Sequence, residues 1–236
     1  MTSPYAGFTL EADEIVSLPL DELAMHVLND YVIMKEWNWR NWLLQAHQAY
    51  QNSRAAQQAL SEAWNWIVTH GLVVQTIEQS SPEAVQLSRR GEQVLKAGLP
   101  WLRATERLDI DLLPALERTA RPQFLRGDFQ TAAFVAMKEV EVAVRSRANL
   151  SDSLVGVKLM RQAFGDGGPL FAGDGDKGEA VALMELFAGS IGSFKNPSSH
   201  RRVDFSDPTE AAEIVLLADL LLRLLSKVPT KDNGDA

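Results

Sequence analysis

The sequence predicts a mainly α-helical chain in two parts: three helices, a β-hairpin and a fourth helix up to residue 98, then a bundle of four or five helices without a sheet. Three observations carry this reading. Apolar residues recur three and four apart through most of the chain, the spacing that lays one stripe along one face of a helix. One stretch, residues 72–87, instead holds two short β-rich runs separated by Ser80-Ser81-Pro82-Glu83. Helix-ending glycines (Gly71, Gly98) and helix-opening residues (Ser53, Ser88, Asp207-Pro208) fall between the periodic segments.

In the N-terminal part, Leu20, Leu23, Ala24, Val27, Leu28 and Tyr31 form the stripe of a first amphipathic helix, and a Trp-rich helix follows from Trp39 to Tyr50. Ser53 caps a third, whose inner face is Ala56, Ala59, Leu60, Ala63, Trp64 and Ile67. Leu72–Ile77 and Ala84–Leu87 are the two strands, and Ser88 caps a short helix, Arg89 to Ala97, stopped by Gly98. Three helices, a hairpin and a helix in that order make up the winged-helix arrangement, so residues 1–98 are expected to form a winged-helix-like domain. The run Leu87-Ser88-Arg89-Arg90-Gly91 resembles the exit after the wing in many such proteins. A DNA-reading helix presents Arg, Lys, Asn or Gln to base edges and phosphates. The candidate here, Arg54 to His70, offers Arg54, Gln57, Gln58 and Asn65 beside Glu62, and Glu78 and Glu83 flank the wing tip. Docking of a regulatory protein partner, or dimerisation, therefore ranks ahead of DNA binding for this part.

Residues 99–125 read as a helical connector, with Pro100, Pro114 and Pro122 and a helix from Leu102 to Leu113. The bundle spans residues 126–228. Its long first helix, Phe129 to Ala148, carries Phe129, Ala133, Ala136, Met137, Val140 and Val144 on one side, with Lys138, Glu141 and Arg145 opposite; Glu141 and Arg145, four apart, are expected to pair on the surface. Helices from Ser153 to Phe164 and from Glu179 to Phe194 flank a glycine-rich loop, residues 165–178. Asp207-Pro208-Thr209-Glu210 opens a last apolar helix to about Ser226, and residues 229–236 read as a disordered tail.

Acidic residues outnumber basic ones 31 to 23, a net charge of −8 that repels a phosphate backbone at long range, so contact with nucleic acid requires a local basic patch. The absence of cysteine excludes disulfides, thiolate metal sites and thiol nucleophiles. Met1 to Leu10 lacks a secretory pattern, and the most apolar run, Ile214 to Leu225, is interrupted by Asp219 and Arg223 and is short of the ~20 residues a bilayer demands. A cytoplasmic protein without a membrane partner is expected.

Of the four histidines, His26, His47 and His70 sit inside helical patterns; His200 sits at a helix-to-helix junction, followed by Arg201 and Arg202. Histidine titrates near neutrality and can take or supply a proton at a reacting oxygen. Lys195 is a fixed cation five residues earlier, and Asn196 both donates and accepts hydrogen bonds. A proton acceptor, a cation and an orienting amide are what cleavage through a ribose 2′-hydroxyl needs, and RNA alone offers that internal nucleophile. Asn-Pro-Ser-Ser is also a plain turn, in which His200 would only cap its neighbours.

The segment from Gly189 to His200, with Phe194-Lys195-Asn196-Pro197-Ser198-Ser199-His200 at its end and long helices on both sides, resembles the signature of HEPN domains. The resemblance is to the Ymh-like group with its Phe-Arg-Asn-Pro-x-x-His pattern, and it covers about residues 129–226. It implies a HEPN-type helical bundle acting as a metal-independent endoribonuclease, a toxin or effector of bacterial anti-phage (abortive infection) systems, working without a cofactor as a homodimer whose motifs face each other. His200 would be the catalytic base or acid, Asn196 the polar residue and Lys195 the cation. Lysine stands where the pattern has arginine and lacks its bidentate grip on phosphate; Arg201 and Arg202 are the neighbours placed to compensate. An acidic residue on the first bundle helix supports such sites, here Glu141 or Glu139. The competing class is a non-catalytic adaptor or regulator in which the same two domains bind nucleic acid or a partner protein. Gly173-Asp174-Gly175-Asp176-Lys177-Gly178 fits a dinucleotide-loop pattern, but no strand precedes it and its aspartates repel a pyrophosphate; nor does it carry the later ligands of a calcium loop.

Overall fold

The computed structural model describes residues 8–171, 177–195 and 207–229, and the chain divides into two compact units, residues 1–102 and 103–236. The described residues are mainly helical, with eleven α-helices, one π-helical turn and one two-stranded sheet. None of the described helices is long and apolar enough to cross a membrane.

In the first unit, α1 (Ala12–Ser17) was not foreseen; the Glu11 N–H donates to the Glu14 carboxylate at 2.9 Å to start it, and Ile15 anchors it in the core. The next elements are those expected. Helix α2 (Leu20–Ile33) buries Leu23, Ala24, Val27, Leu28 and Tyr31. Helix α3 (Trp39–Ala49) starts where the Asn38 side chain accepts from the N–H groups of Arg40 and Asn41. Helix α4 (Arg54–Thr69) is capped by Ser53, which accepts from the Ala56 N–H at 3.3 Å. Gly71, at φ +65°, turns the chain out of α4 in a conformation that favours glycine. Strands β1 (Val73–Gln75) and β2 (Val85–Leu87) pair antiparallel with Val74 opposite Gln86. The segment before α3 joins them on the β2 side, where the Val85 N–H donates to Trp37 O and the Trp39 N–H to Glu83 O. Ser88 caps α5 (Arg89–Ala97), and at Gly91 a Cβ would lie 2.1 Å from the Leu72 carbonyl oxygen, so glycine alone lets α5 approach the hairpin.

Tryptophans concentrate in this unit's core. Trp39 and Trp42 each stack on Trp64, with ring centres 5.9 Å and 5.8 Å apart, while Trp37 stays half exposed. Of the three helical histidines, His47 reaches the Ser61 hydroxyl, and His70 stacks on Trp66 and contacts its carbonyl.

Residues 99–125 hold two helices where one was expected, α6 (Leu99–Arg107) and α7 (Pro114–Leu125). Pro100 and Pro114 sit in the first turns of these helices, where no N–H partner is needed, and not on either side of one helix from Leu102 to Leu113 as expected. Helix α7 tolerates Pro122 near its end and buries Leu116, Ala120 and Phe124 in the second unit's core, so it belongs to the bundle's packing and is no spacer. Helix α8 (Phe129–Ala148) has the expected bounds and lies between α7 and α11 (Pro208–Lys227), all three sharing the core. The second unit also holds α9 (Gly156–Phe164) and α10 (Lys177–Ser190), which runs into the π-helical turn Ile191–Lys195. Helix α11 opens as expected, with Asp207 accepting from the Thr209 N–H at 2.9 Å and Pro208 in its first turn. Residues 172–176 of the glycine-rich loop and all but Pro229 of the expected tail lie outside the described residues.

Candidate functional site

Helix α8 buries one carboxylate that the sequence reading had placed opposite the apolar stripe. Glu141 follows Val140 and precedes Val144 on the buried side, and only 5% of it is exposed. A bare buried carboxylate costs several kcal/mol of lost hydration, so it must be met by donors. It is met from three directions. The Gly156 N–H at the start of α9 donates to Oε2 at 2.7 Å. One turn along α8, an Arg145 terminal nitrogen donates to Oε1 at 3.0 Å. From the π-turn, Lys195 Nζ lies 3.2 Å from Oε2 and 3.4 Å from Oε1.

Each donor is itself held. Gly156 has φ +63°, and that left-handed turn aims its N–H back at α8. Arg145 donates through Nε and a terminal nitrogen to the Leu154 carbonyl, both at 3.0 Å, which pins the loop between α8 and α9. Lys195 is the last residue of a turn with i→i+5 geometry, an uncommon device that is frequent at functional sites. Ile191 seats that turn in the core, and Gly192 lets it close on α9, since a Cβ there would meet Val157 at 3.2 Å.

The side chains of Glu141, Arg145 and Lys195 are 6%, 14% and 13% exposed, so the group is shielded and its attractions are weakly screened. One carboxylate facing two cations leaves this buried group with one net positive charge, although the chain carries a net charge of −8.

Of the residues singled out in the sequence, Lys195 and Glu141 are brought together. Glu139 is half-buried, and among the described residues its side chain makes no hydrogen bond or ion pair. Asn196, His200, Arg201 and Arg202 lie outside the described residues. The Glu141–Arg145 pair forms as the spacing predicted, but it is buried and not on the surface, because α9 and the π-turn cover that side of α8. Sequence reasoning missed Gly156 and the Leu154 carbonyl; a glycine opening a helix directly after Leu154-Val155 was the one signal available.

A family described as "Protein of unknown function (Hypoth_ymh)" matches residues 111–225, from just ahead of α7 to near the end of α11. No curated protein and no solved structure matches the chain.

Proposed function

We propose that this chain is a metal-independent endoribonuclease of the HEPN type, acting as a homodimer and as a toxin or effector in a bacterial anti-phage system. The observation that carries the proposal is the Lys195–Glu141 contact: the cation of the Lys195–His200 segment is held by an acidic residue on the long helix α8, as the resemblance implies. The match of residues 111–225 to the Ymh family is in keeping with it.

In the proposed reaction His200 takes the proton of a ribose 2′-hydroxyl. The freed oxygen bonds to the adjacent phosphorus, the bond from phosphorus to the 5′-oxygen breaks, and that oxygen leaves with a proton supplied by water, to which His200 returns the one it took. The products are a 2′,3′-cyclic phosphate and a 5′-hydroxyl, with no oxidant or further reactant. Lys195 stabilises charge on the phosphorane, Asn196 orients the phosphate, and Glu141 and Arg145 position Lys195.

The helices followed by a hairpin and α5, with Asn38 bridged to Ala84 on the β2 side, are in keeping with a winged-helix-like N-terminal unit. Its role in this reading is to dock a regulatory protein. Arg54 is the single cation of α4, and the Gln58 amide is turned onto Glu62 at 2.9 Å, so the helix has little to offer DNA.

Purified wild type and His200→Ala, incubated with single-stranded RNA and with DNA of the same sequence in excess chelator, test this. Wild type should cut the RNA to cyclic-phosphate ends and spare the DNA, and His200→Ala should not cut. An uncleaved RNA, cleavage abolished by chelator, or equal activity in the variant refutes the proposal.

A further inference from the structure

The hairpin of the first unit leaves one strand edge open. The Ser88 N–H donates to Leu72 O and the Thr76 N–H to Ala84 O, both at 3.0 Å, and Val74 stands opposite Gln86. Residues 72, 74 and 76 therefore bond toward β2, and by strand alternation the N–H and C=O groups of Val73 and Gln75 point away from it. On the other side, β2 is covered, since its Val85 N–H donates to Trp37 O at 3.0 Å. Among the described residues no strand pairs with the outer edge of β1.

Natural sheets block such edges with lysine, proline or a bulge. This edge reads Val-Val-Gln, with Val74 45% exposed and Ile77, just beyond it, 96% exposed. Next to it, between the hairpin and helices α3 and α4, is a cavity of about 500 Å³ lined by Trp39, Leu43, Trp64, Val68, Val73 and Val85 among others. Val73, Gln75 and Val85 share the sheet face that turns to this cavity, so a strand added to β1 would project every second side chain onto the same face. An unpaired edge calls for extended backbone, and the cavity calls for an apolar side chain.

Charge decides between a second copy and a different partner. The unit carries 11 acidic against 6 basic residues, and Glu62, one residue from the cavity's Ser61, and Glu78, three residues past Gln75 of β1, are exposed. Glu83, at the hairpin's far end, accepts from the Ser81 hydroxyl, and that bond, with the nearby Arg40 adding a smaller pull, holds its carboxyl below its ordinary range. A second copy would bring like charge to like. A basic segment would meet its complement.

We propose that the β1 edge accepts an extended segment of a partner protein as an added strand, with an apolar side chain in the Trp39–Trp64 cavity and flanking lysines or arginines facing Glu62, Glu78 and Glu83. This rests on the docking role proposed for the first unit, and it is independent of RNA cleavage.

The probe is a fluorescein-labelled peptide, Lys-Lys-Ile-Thr-Val-Thr-Val-Lys-Lys, added to the full-length protein and followed by anisotropy and by amide exchange. Saturable binding with a Kd on the order of 10–100 µM is expected, together with slowed exchange at Val73 and Gln75. A peptide with glutamates for the lysines should bind about tenfold more weakly at low salt. So should the Gln75→Pro protein, which loses one outward N–H and keeps the hairpin bonds at 72, 74 and 76. Val68→Glu, at a half-exposed cavity position, is a second variant that leaves the sheet intact and should also weaken binding. Absence of saturation at about 1 mM peptide, or unchanged affinity in both variants, overturns the proposal. So does a concentration-dependent dimer abolished by Gln75→Pro, which would assign the edge to a second copy. RNA cleavage measured on the same samples reports separately on the nuclease reading.

Discussion

Replacing Glu141 by glutamine isolates the charge at the centre of the second unit with almost no change of volume. The amide keeps one carbonyl oxygen for the Gly156 N–H, but it loses the negative charge both cations face and turns its NH2 group toward Arg145. Were these surface pairs, the loss would be about 0–1 kcal/mol. They are not: the three side chains are 6%, 14% and 13% exposed, and removing one partner of a buried ion pair costs about 3–5 kcal/mol. Both cations have a partly open end through which they can relax toward water, which favours the lower bound, about 3 kcal/mol. For a unit of this size that is on the order of 10 °C in Tm. Urea unfolding should show a lower midpoint at an unchanged slope, the mark of lost stability without a change of unfolded state. A double-mutant cycle with Lys195→Met then tests the contact itself. With the 3.2 Å pair present, the double variant should be about 1–3 kcal/mol less destabilised than the sum of the single ones. A Glu141→Gln loss below about 0.5 kcal/mol, or strict additivity in the cycle, would refute the buried triad.

Gly156→Ala forces an alanine into φ +63° and should cost about 1–2 kcal/mol, read from the same urea curves; an unchanged midpoint would mean the turn is not left-handed in solution. Asp219 is 5% exposed and accepts from the Leu113 N–H at 2.8 Å and from Arg223 Nε at 2.6 Å, so Asp219→Ala should cost about 2 kcal/mol. Limited proteolysis should find new cleavage between Arg107 and Pro114 in that variant, and a wild-type digestion pattern would contradict the pinning. Burial pushes the Asp30 carboxyl up to about 6 from an unfolded value of 3.8, so the folded state holds the proton more tightly and stability falls as pH rises from about 4 to 6. Asp30→Asn should flatten that slope and, discounted for the solvent that reaches the group, add about 1 kcal/mol at pH 7; an equally steep slope in the variant would assign it to another group.

Element by element, what could be read from the sequence is what local chemistry determines. Ser53, Ser88 and Asp207 cap the helices they were expected to cap, because a side-chain oxygen two or three residues ahead of an N–H depends on nothing distant. Helix α8 has its expected bounds for a related reason, with a long apolar stripe and a left-handed Asn149 at its end. The connector was misread because proline has two opposite uses, stopping one helix and starting the next, and only packing distinguishes them. Buried Leu116, Ala120 and Phe124 make α7 a core element. The same limit applied at Glu141. Spacing predicts that Glu141 and Arg145 meet, but whether they meet in water depends on α9 and the π-turn, elements 15 and 54 residues further along the chain.

This arrangement also gives a physical reason for lysine where the resembled pattern has arginine. A guanidinium binds a carboxylate best as a planar fork on both oxygens. In this structure Oε1 also receives Arg145 and Oε2 the Gly156 N–H, so a planar fork would have to fit between two donors already in place. An ammonium asks for less. It is a compact charge that can sit 3.2 Å and 3.4 Å from the two oxygens at once without matching a plane. The planar cation beside this carboxylate is Arg145 on α8, and the point charge is Lys195 at the end of the π-turn. If the segment from Lys195 to His200 works on phosphate, the positive field there belongs to the triad and not to the motif residue alone. The motif's departure from arginine is therefore not, by itself, a sign of lost function.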